Sequence, residues 1–179
     1  MVNIIKKRFI SNFTDITTTS FFPSKPLGCY GDGGCLFTNS KSIATKLKSL
    51  RIHGKGINKY DNVSVGMNSR LDTIQATILL ENLKTFSKEL KRRKEVAKLY
   101  LENITNIVIK PFADEDSDPI WSQFTIKTKK RDKLKTFLEE NKIPTMIYYP
   151  IPLHKQKAYK RFRTLTNPLV NSENACNQV

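Results

Sequence analysis

The strongest periodicity in the chain is a long helical stripe. Leu71, Ile74, Ile78, Leu79, Leu83, Phe86 and Leu90 recur at three- and four-residue steps, so they share one face of an α-helix. The helical signal runs on from Lys84 to Ile104, too far for one unbroken helix unless it joins two domains. Ser69 with Asp72 three positions later forms a weak capping box before it. A shorter stripe of Ile43, Ala44, Leu47 and Leu50 predicts a helix capped by Asn39 or Ser40. Leu134, Phe137 and Leu138 predict a third between Lys130 and Asn141, which Pro144 bars from continuing. A fourth is expected over Ser172 to Val179.

Strand signals are shorter. Thr17, Thr18 and Thr19, followed by Phe21 and Phe22, predict a buried strand, and Cys35-Leu36-Phe37 a second. Residues 1–16 read as a strand fragment and loop, their alternation broken by Lys6-Lys7-Arg8. Further on, Ile107–Ile109, Ile120–Ile126 and Met146–Tyr149 predict strands. Between the first two, Asp114–Asp118 reads as a solvated acidic turn without the spacing of a calcium loop. Strand, strand, helix, strand describes a small α+β domain. The domain change is expected near Ser87, dividing the chain into 1–87 and 88–179.

The candidate chemistry lies between the first two long strands. Pro23 stops the first strand, and Lys25 follows in a turn stiffened by Pro26 and Gly28. Gly31, Gly33 and Gly34 then let the backbone bend back into Cys35-Leu36-Phe37. A lysine fixed against apolar walls can lose its proton near neutral pH and attack a carbonyl. Taken alone, an ordinary loop lysine fits the same residues.

The wording of this segment is more specific than its chemistry. Ser20-Phe21-Phe22-Pro23-Ser24-Lys25, Leu27-Gly28 and Gly31-Asp32-Gly33-Gly34 together resemble the lysine region of the DegT-type nucleotide-sugar aminotransferases, which are fold-type I enzymes using pyridoxal phosphate (PLP). The likeness continues to Val179. It implies an α/β chain in which 1–87 is the remainder of the large PLP-binding domain and 88–179 a small C-terminal α+β domain, incomplete at its end. It implies that Lys25 is the Schiff-base lysine and that Ser20 donates a hydrogen bond to the cofactor phosphate. Asn68, in Gly66-Met-Asn-Ser-Arg70, would reach across a homodimer interface to the partner's phosphate, for which an amide donor near a helix start is suited. Arg70, His53 of Arg51-Ile-His-Gly54, and Tyr149 and His154 of Tyr149-Pro-Ile-Pro-Leu-His154 would contact substrate. The residues alone leave other roles open: a turn or cap for Asn68, a structural histidine at 53, a surface histidine at 154. The implied reaction moves an amino group, from glutamate, to a keto-sugar nucleotide, for a surface polysaccharide or glycan.

The resemblance also implies missing parts. The aspartate that keeps the cofactor's ring nitrogen protonated lies farther upstream in the family than the 24 residues preceding Lys25, and Asp15 stands in the wrong place for it. The phosphate-binding turn of the cofactor domain is expected to be wanting for the same reason, and the family's further strand after Val179 is expected to be wanting as well. The expectation is an internal fragment with a half-built site, binding PLP poorly and turning over little. A PLP-free pseudo-enzyme that pairs with an intact relative is the alternative within the family.

Composition changes the picture at two points. A net charge of +15 over 179 residues is typical of nucleic-acid binders, which makes that class the runner-up. Yet the basic residues lie along helix faces, in 84–98, 127–135 and 155–163, with no nucleic-acid-reading motif. They read as a solvated surface that also attracts an anionic sugar nucleotide. At 39% apolar residues the chain can build a core, but no apolar run approaches the roughly 20 residues that span a bilayer. The first residues lack a secretory layout, and Cys29, Cys35 and Cys176 are odd in number and scattered. Reduced thiols and a cytoplasmic protein are expected, with no metal site: Cys29 and Cys35 have neither Cys-x-x-Cys spacing nor histidine company.

Overall fold

A computed structural model describes residues 4–5, 8–162 and 169–179. The chain divides into two compact units, one of residues 1–97 with 113–122, the other of 98–112 with 123–179. The expected division near Ser87 thus falls inside the first unit, and the chain returns to that unit once before leaving it.

The first unit holds two small antiparallel sheets. Ile4–Ile5 (β1) pairs with Arg8–Phe9 (β2) on one side and with Ser117–Asp118 (β5) on the other. The acidic stretch expected to be a solvated turn therefore ends in a strand, and Asp118 is held by the Lys94 ammonium at 2.6 Å. Carboxylate spacing reports polarity, whereas strand pairing needs only free backbone groups. The second sheet is a hairpin of Thr17–Ser20 (β3) and Gly34–Phe37 (β4), with Thr17 opposite Phe37 and Ser20 opposite Gly34. The β-branched run does form a strand, but not a buried one. Its residues alternate between half-buried and exposed, because among the described residues β3 pairs with β4 alone.

Two helices frame this hairpin. Lys41–Leu50 (α1) starts at Ser40, whose Oγ accepts from the Ile43 amide. Thr73–Asn103 (α2) is one continuous helix of 31 residues that passes from the first unit into the second. It begins later than the Ser69 signal implied: the Asp72 carbonyl accepts its first bond, from Ala76, which leaves Ser69 in the loop before it. The apolar stripe of α2 turns inward at Leu79 and Ala97, which with Cys29 are the fully buried apolar residues among those described.

In the second unit the Lys110 ammonium caps the end of α2, donating to the carbonyls of Leu101 (2.7 Å) and Ile104 (3.2 Å). Tyr100 packs on Phe124 with ring centres 5.1 Å apart. Arg131–Glu140 (α3) forms as expected, and Val170–Cys176 (α4) starts and ends a little before the predicted Ser172–Val179 helix. The strands expected at 107–109, 120–126 and 146–149 do not form ladders among the described residues. Ile109 and Lys127 make a single antiparallel bridge, exchanging two bonds of 2.8 Å. Trp121 has φ of 51°, a left-handed turn inside the predicted strand that ends its extended run.

Candidate active site

The lysine loop is a closed structure built from its own backbone. Beyond Ser20, the Phe21 amide donates to Gly33 O at 2.8 Å, adding one rung to the hairpin. The Lys25 amide then donates to Phe22 O at 2.8 Å, closing a four-residue turn with Pro23 in its second position. The Cys29 amide folds the chain back onto Phe21 O, and the single proton of the buried Cys29 thiol is shared between that carbonyl and Gly31 O, at 3.1 and 3.2 Å. Gly28 is required there, since a Cβ would lie 2.9 Å from the carbonyl oxygens of Phe22 and Pro23.

Lys25 itself projects from this rigid turn and is exposed, not walled in by apolar side chains as expected. The reason is local: Phe21 faces inward, while Phe22 beside the turn is itself half exposed. The Lys25 ammonium makes no hydrogen bond or ion pair among the described residues. Ser20 Oγ accepts from the Phe22 amide at 3.2 Å, which occupies an acceptor position and leaves its hydroxyl proton to donate.

Asn68, Arg70 and His53 lie together on a second loop of the same unit. Asn68 bridges Ile52, and the His53 amide donates to Met67 O at 2.9 Å. Arg70 Nε lies 3.1 Å from Asn68 Oδ1. A guanidinium only donates, so the Asn68 oxygen must face it, and the amide NH₂ is the end presented outward. Asn68 and Arg70 border an open cleft of about 980 Å³, whose lining also includes Lys48, Arg51 and Asp32 but neither Lys25 nor Ser20.

Tyr149 and His154 belong to the second unit. Tyr149 is exposed. His154 follows Pro152 in a 3-10 turn, as the stiff proline segment suggests, and its Nε2 lies 3.1 Å from Glu173 Oε1 on α4. Glu173 also takes Lys155 Nζ at 2.6 Å. Its carboxyl is held below the ordinary carboxylate range, first by the Lys155 hydrogen bond and then by that of His154. A carboxylate with a depressed pKa stabilises the fold above its unfolded pKa, and that contribution disappears as pH falls through the folded value. Acidification is therefore expected to release α4 from the 153–155 turn. The protection factors of the amides across 170–176, taken against the intrinsic exchange rate at each pH, should fall on acidification in the wild type and be already low, with less pH dependence, in Glu173→Gln.

Two polar residues that sequence reasoning passed over face the lysine loop. The Tyr30 amide donates to Gln75 Oε1 at 2.9 Å, and Asn82 Nδ2 donates to Gly28 O at 2.8 Å. The available signal was an amide at two positions, seven apart, on the apolar face of α2.

Comparison with known proteins places this geometry. Residues 4–179 match the DegT/DnrJ/EryC1/StrS aminotransferase family. The chain belongs to that family. A UDP-2-acetamido-2-deoxy-3-oxo-D-glucuronate aminotransferase of Pseudomonas aeruginosa is 42% identical over 148 residues, 82% of this chain and 41% of that protein. The crystal structure of a DegT DnrJ EryC1 StrS aminotransferase from Brucella abortus superposes with a TM-score of 0.93 at 41% identity, covering 98% of this chain and 47% of the other. NtdA from Bacillus subtilis, solved with bound cofactor PMP, gives 0.84 at 30% identity, with 94% and 41% covered. The fold is thus the fold-type I fold expected from the lysine loop. The chain spans about half the length of the curated relatives it matches.

Proposed function

We propose that this chain contributes the lysine-bearing half of a PLP-dependent aminotransferase site that acts on a keto-sugar nucleotide in the cytoplasm, with glutamate as amino donor. The observation that carries the reading is Lys25: an amine without a polar partner among the described residues, on a turn fixed by backbone bonds, within hairpin reach of a free serine hydroxyl. The donor set fits the cofactor. An amine suits its aldehyde, and the Ser20 hydroxyl and Asn68 amide suit its phosphate. When bound, PLP supplies the electron sink that lets a carbon next to nitrogen give up a proton.

The chain's own residues do the rest. Lys25 would hold the cofactor through its amine, and Nζ, once released by the incoming amino donor, would serve as the base that takes up and returns a proton. Ser20 orients the phosphate, and Asn68 does so for the site of a second copy. Arg70 holds the Asn68 oxygen and faces the anionic substrate across the cleft; His53, Tyr149 and His154 are proposed substrate contacts. A homodimer is supported by the segment leading into Asn68, where Ile57 and Val65 are 100% and 98% exposed. Apolar side chains this open would gain from being covered by a second copy.

The test is reductive trapping. The chain is incubated with PLP, reduced with borohydride and mapped by peptide mass. The expected result is a pyridoxyl group concentrated on Lys25. No preference for Lys25, together with tight and salt-sensitive RNA binding, would overturn the proposal in favour of a nucleic-acid role.

A further inference from the structure

The lysine loop is held from outside by two amides of α2, and we propose that Gln75 and Asn82 are positioning residues for Lys25. The proposal rests on the reading of Lys25 as the cofactor's anchor and adds what keeps that anchor in place.

The loop's own bonds close the turn from Phe22 to Lys25 and bring Cys29 back to Phe21. They leave the Gly28 carbonyl and the Tyr30 amide, on either side of Cys29, pointing away from the hairpin. The Gly28 carbonyl lies in a part-buried contact, where such a group needs a partner, while the Tyr30 amide gains an ordered one at the exposed edge. Asn82 supplies the donor for Gly28 at 2.8 Å, and Gln75 supplies the acceptor for Tyr30 at 2.9 Å. The chemistry fixes both amide orientations, since a backbone N–H can only donate and a carbonyl only accept.

Helix geometry explains why these two residues act together. Positions 75, 79 and 82 are spaced i, i+4 and i+7, on one face of α2. Between the amides sits Leu79, 5% exposed, and between the two backbone groups they hold sits Cys29, 1% exposed. The two amides therefore hold the loop on either side of the buried Cys29, the Asn82 bond part-buried and the Gln75 bond exposed. A Cβ on Gly31 would come within 3.1 Å of Gln75 Nε2, so the loop backbone lies directly on the glutamine. Two half-buried amides on an apolar stripe are unfavourable unless hydrogen-bonded, and here both are.

The connection to Lys25 is short. Gly28 packs against the carbonyls of Phe22 and Pro23, the first two residues of the lysine turn. Fixing Gly28 fixes the turn from behind and leaves the exposed Lys25 side chain free to react. The direction of each hydrogen bond yields an asymmetric test. Gln75→Glu keeps an acceptor for the Tyr30 amide, whereas Asn82→Asp replaces a donor by a carboxylate facing a carbonyl.

The experiment compares the wild-type chain with Gln75→Glu, Gln75→Leu, Asn82→Asp and Asn82→Ser. It measures the PLP concentration needed for half-maximal borohydride trapping at Lys25, together with exchange of the Tyr30 amide. Loss of one such bond is expected to raise the half-maximal concentration about tenfold in Gln75→Leu and Asn82→Asp. Gln75→Glu should stay within about twofold of wild type, and Asn82→Ser, which keeps a donor, should fall between. Tyr30 exchange should quicken in Gln75→Leu and not in Gln75→Glu. Equal impairment of Gln75→Glu and Asn82→Asp, or wild-type behaviour of both Gln75→Leu and Asn82→Asp, overturns the assignment. If the wild type itself fails to label at Lys25, the cofactor reading falls, and the Tyr30 exchange pattern still decides whether the clamp exists.

Discussion

Replacing Lys25 by alanine is expected to remove the trapped pyridoxyl group from the lysine-loop peptide completely, while the protein stays folded. The chain has 23 lysines, so borohydride with PLP will leave a thin background on many exposed amines. Total label is therefore a poor measure, and the label on one peptide is the informative one. The substitution is gentle on structure because the turn is closed by the Lys25 backbone amide and not by its side chain. Truncating an exposed side chain without a polar partner should change stability by no more than about 0.5 kcal/mol. Lys25→Arg gives the complementary control: it keeps the positive charge and the length but offers no amine that can attach to an aldehyde. If both variants lose the label and keep the wild-type melting curve, attachment belongs to the Lys25 amine. A label spread evenly over lysines in wild type and variants alike would mean that the loop confers no reactivity.

The lysine loop was legible because its grammar is local. Pro23 at a turn's second position, glycines where a Cβ would strike a carbonyl, and the β-branched run of Thr17, Thr18 and Thr19 before it each act within a few residues of the chain. Ser40 as a cap, and α1 and α3, were legible on the same grounds. What could not be read depends on partners distant in sequence. Ile120 to Ile126 has strand composition, yet a strand exists only where a neighbour offers a ladder, and the left-handed turn at Trp121 interrupts it. Ser117–Asp118 has the opposite history: acidic residues that look solvated find a partner in β1, more than a hundred residues earlier. The α2 stripe gave the helix but not its meaning, since Gln75 and Asn82 read as polar interruptions until the loop they hold is seen. Periodicity also could not reveal that Lys25 would be exposed, because exposure depends on everything packed around the turn.

Gly54→Ala is expected to have the largest effect on stability. Gly54 has φ of +72°, a left-handed conformation that costs an alanine about 1–2 kcal/mol. The larger difficulty is contact: an alanine Cβ would overlap Ser64 O and lie 2.5 Å from Ser64 C, both backbone atoms that no rotamer change can move. The 64 segment would have to retreat, and with it the bonds from Val63 and Ser64 to Gly54 O, each worth about 1 kcal/mol. The combined loss, roughly 3–5 kcal/mol, is a large share of what a domain holds in reserve. The melting midpoint should fall by more than about 10 °C. Function should fall with it, because this crossing sets the path into Asn68. Gly66 passes so close to Gly54 that a Cβ added to it would overlap Gly54 N, and the Met67 and Ser69 amides then donate to the carbonyls of Leu50 and Arg51. A displaced crossing carries the Asn68 amide, proposed above to bind phosphate, away from its position. Gly56→Ala separates this mechanism from a general intolerance of the loop. Its Cβ would meet the Val63 and Asp61 side chains first, at 2.9 and 3.0 Å, which can swing aside. The Gly56 variant should therefore lose under about 1 kcal/mol, within the usual range for a surface change. Equal losses in the two variants would show that the backbone crossing at Gly54 does not fix the Asn68 segment.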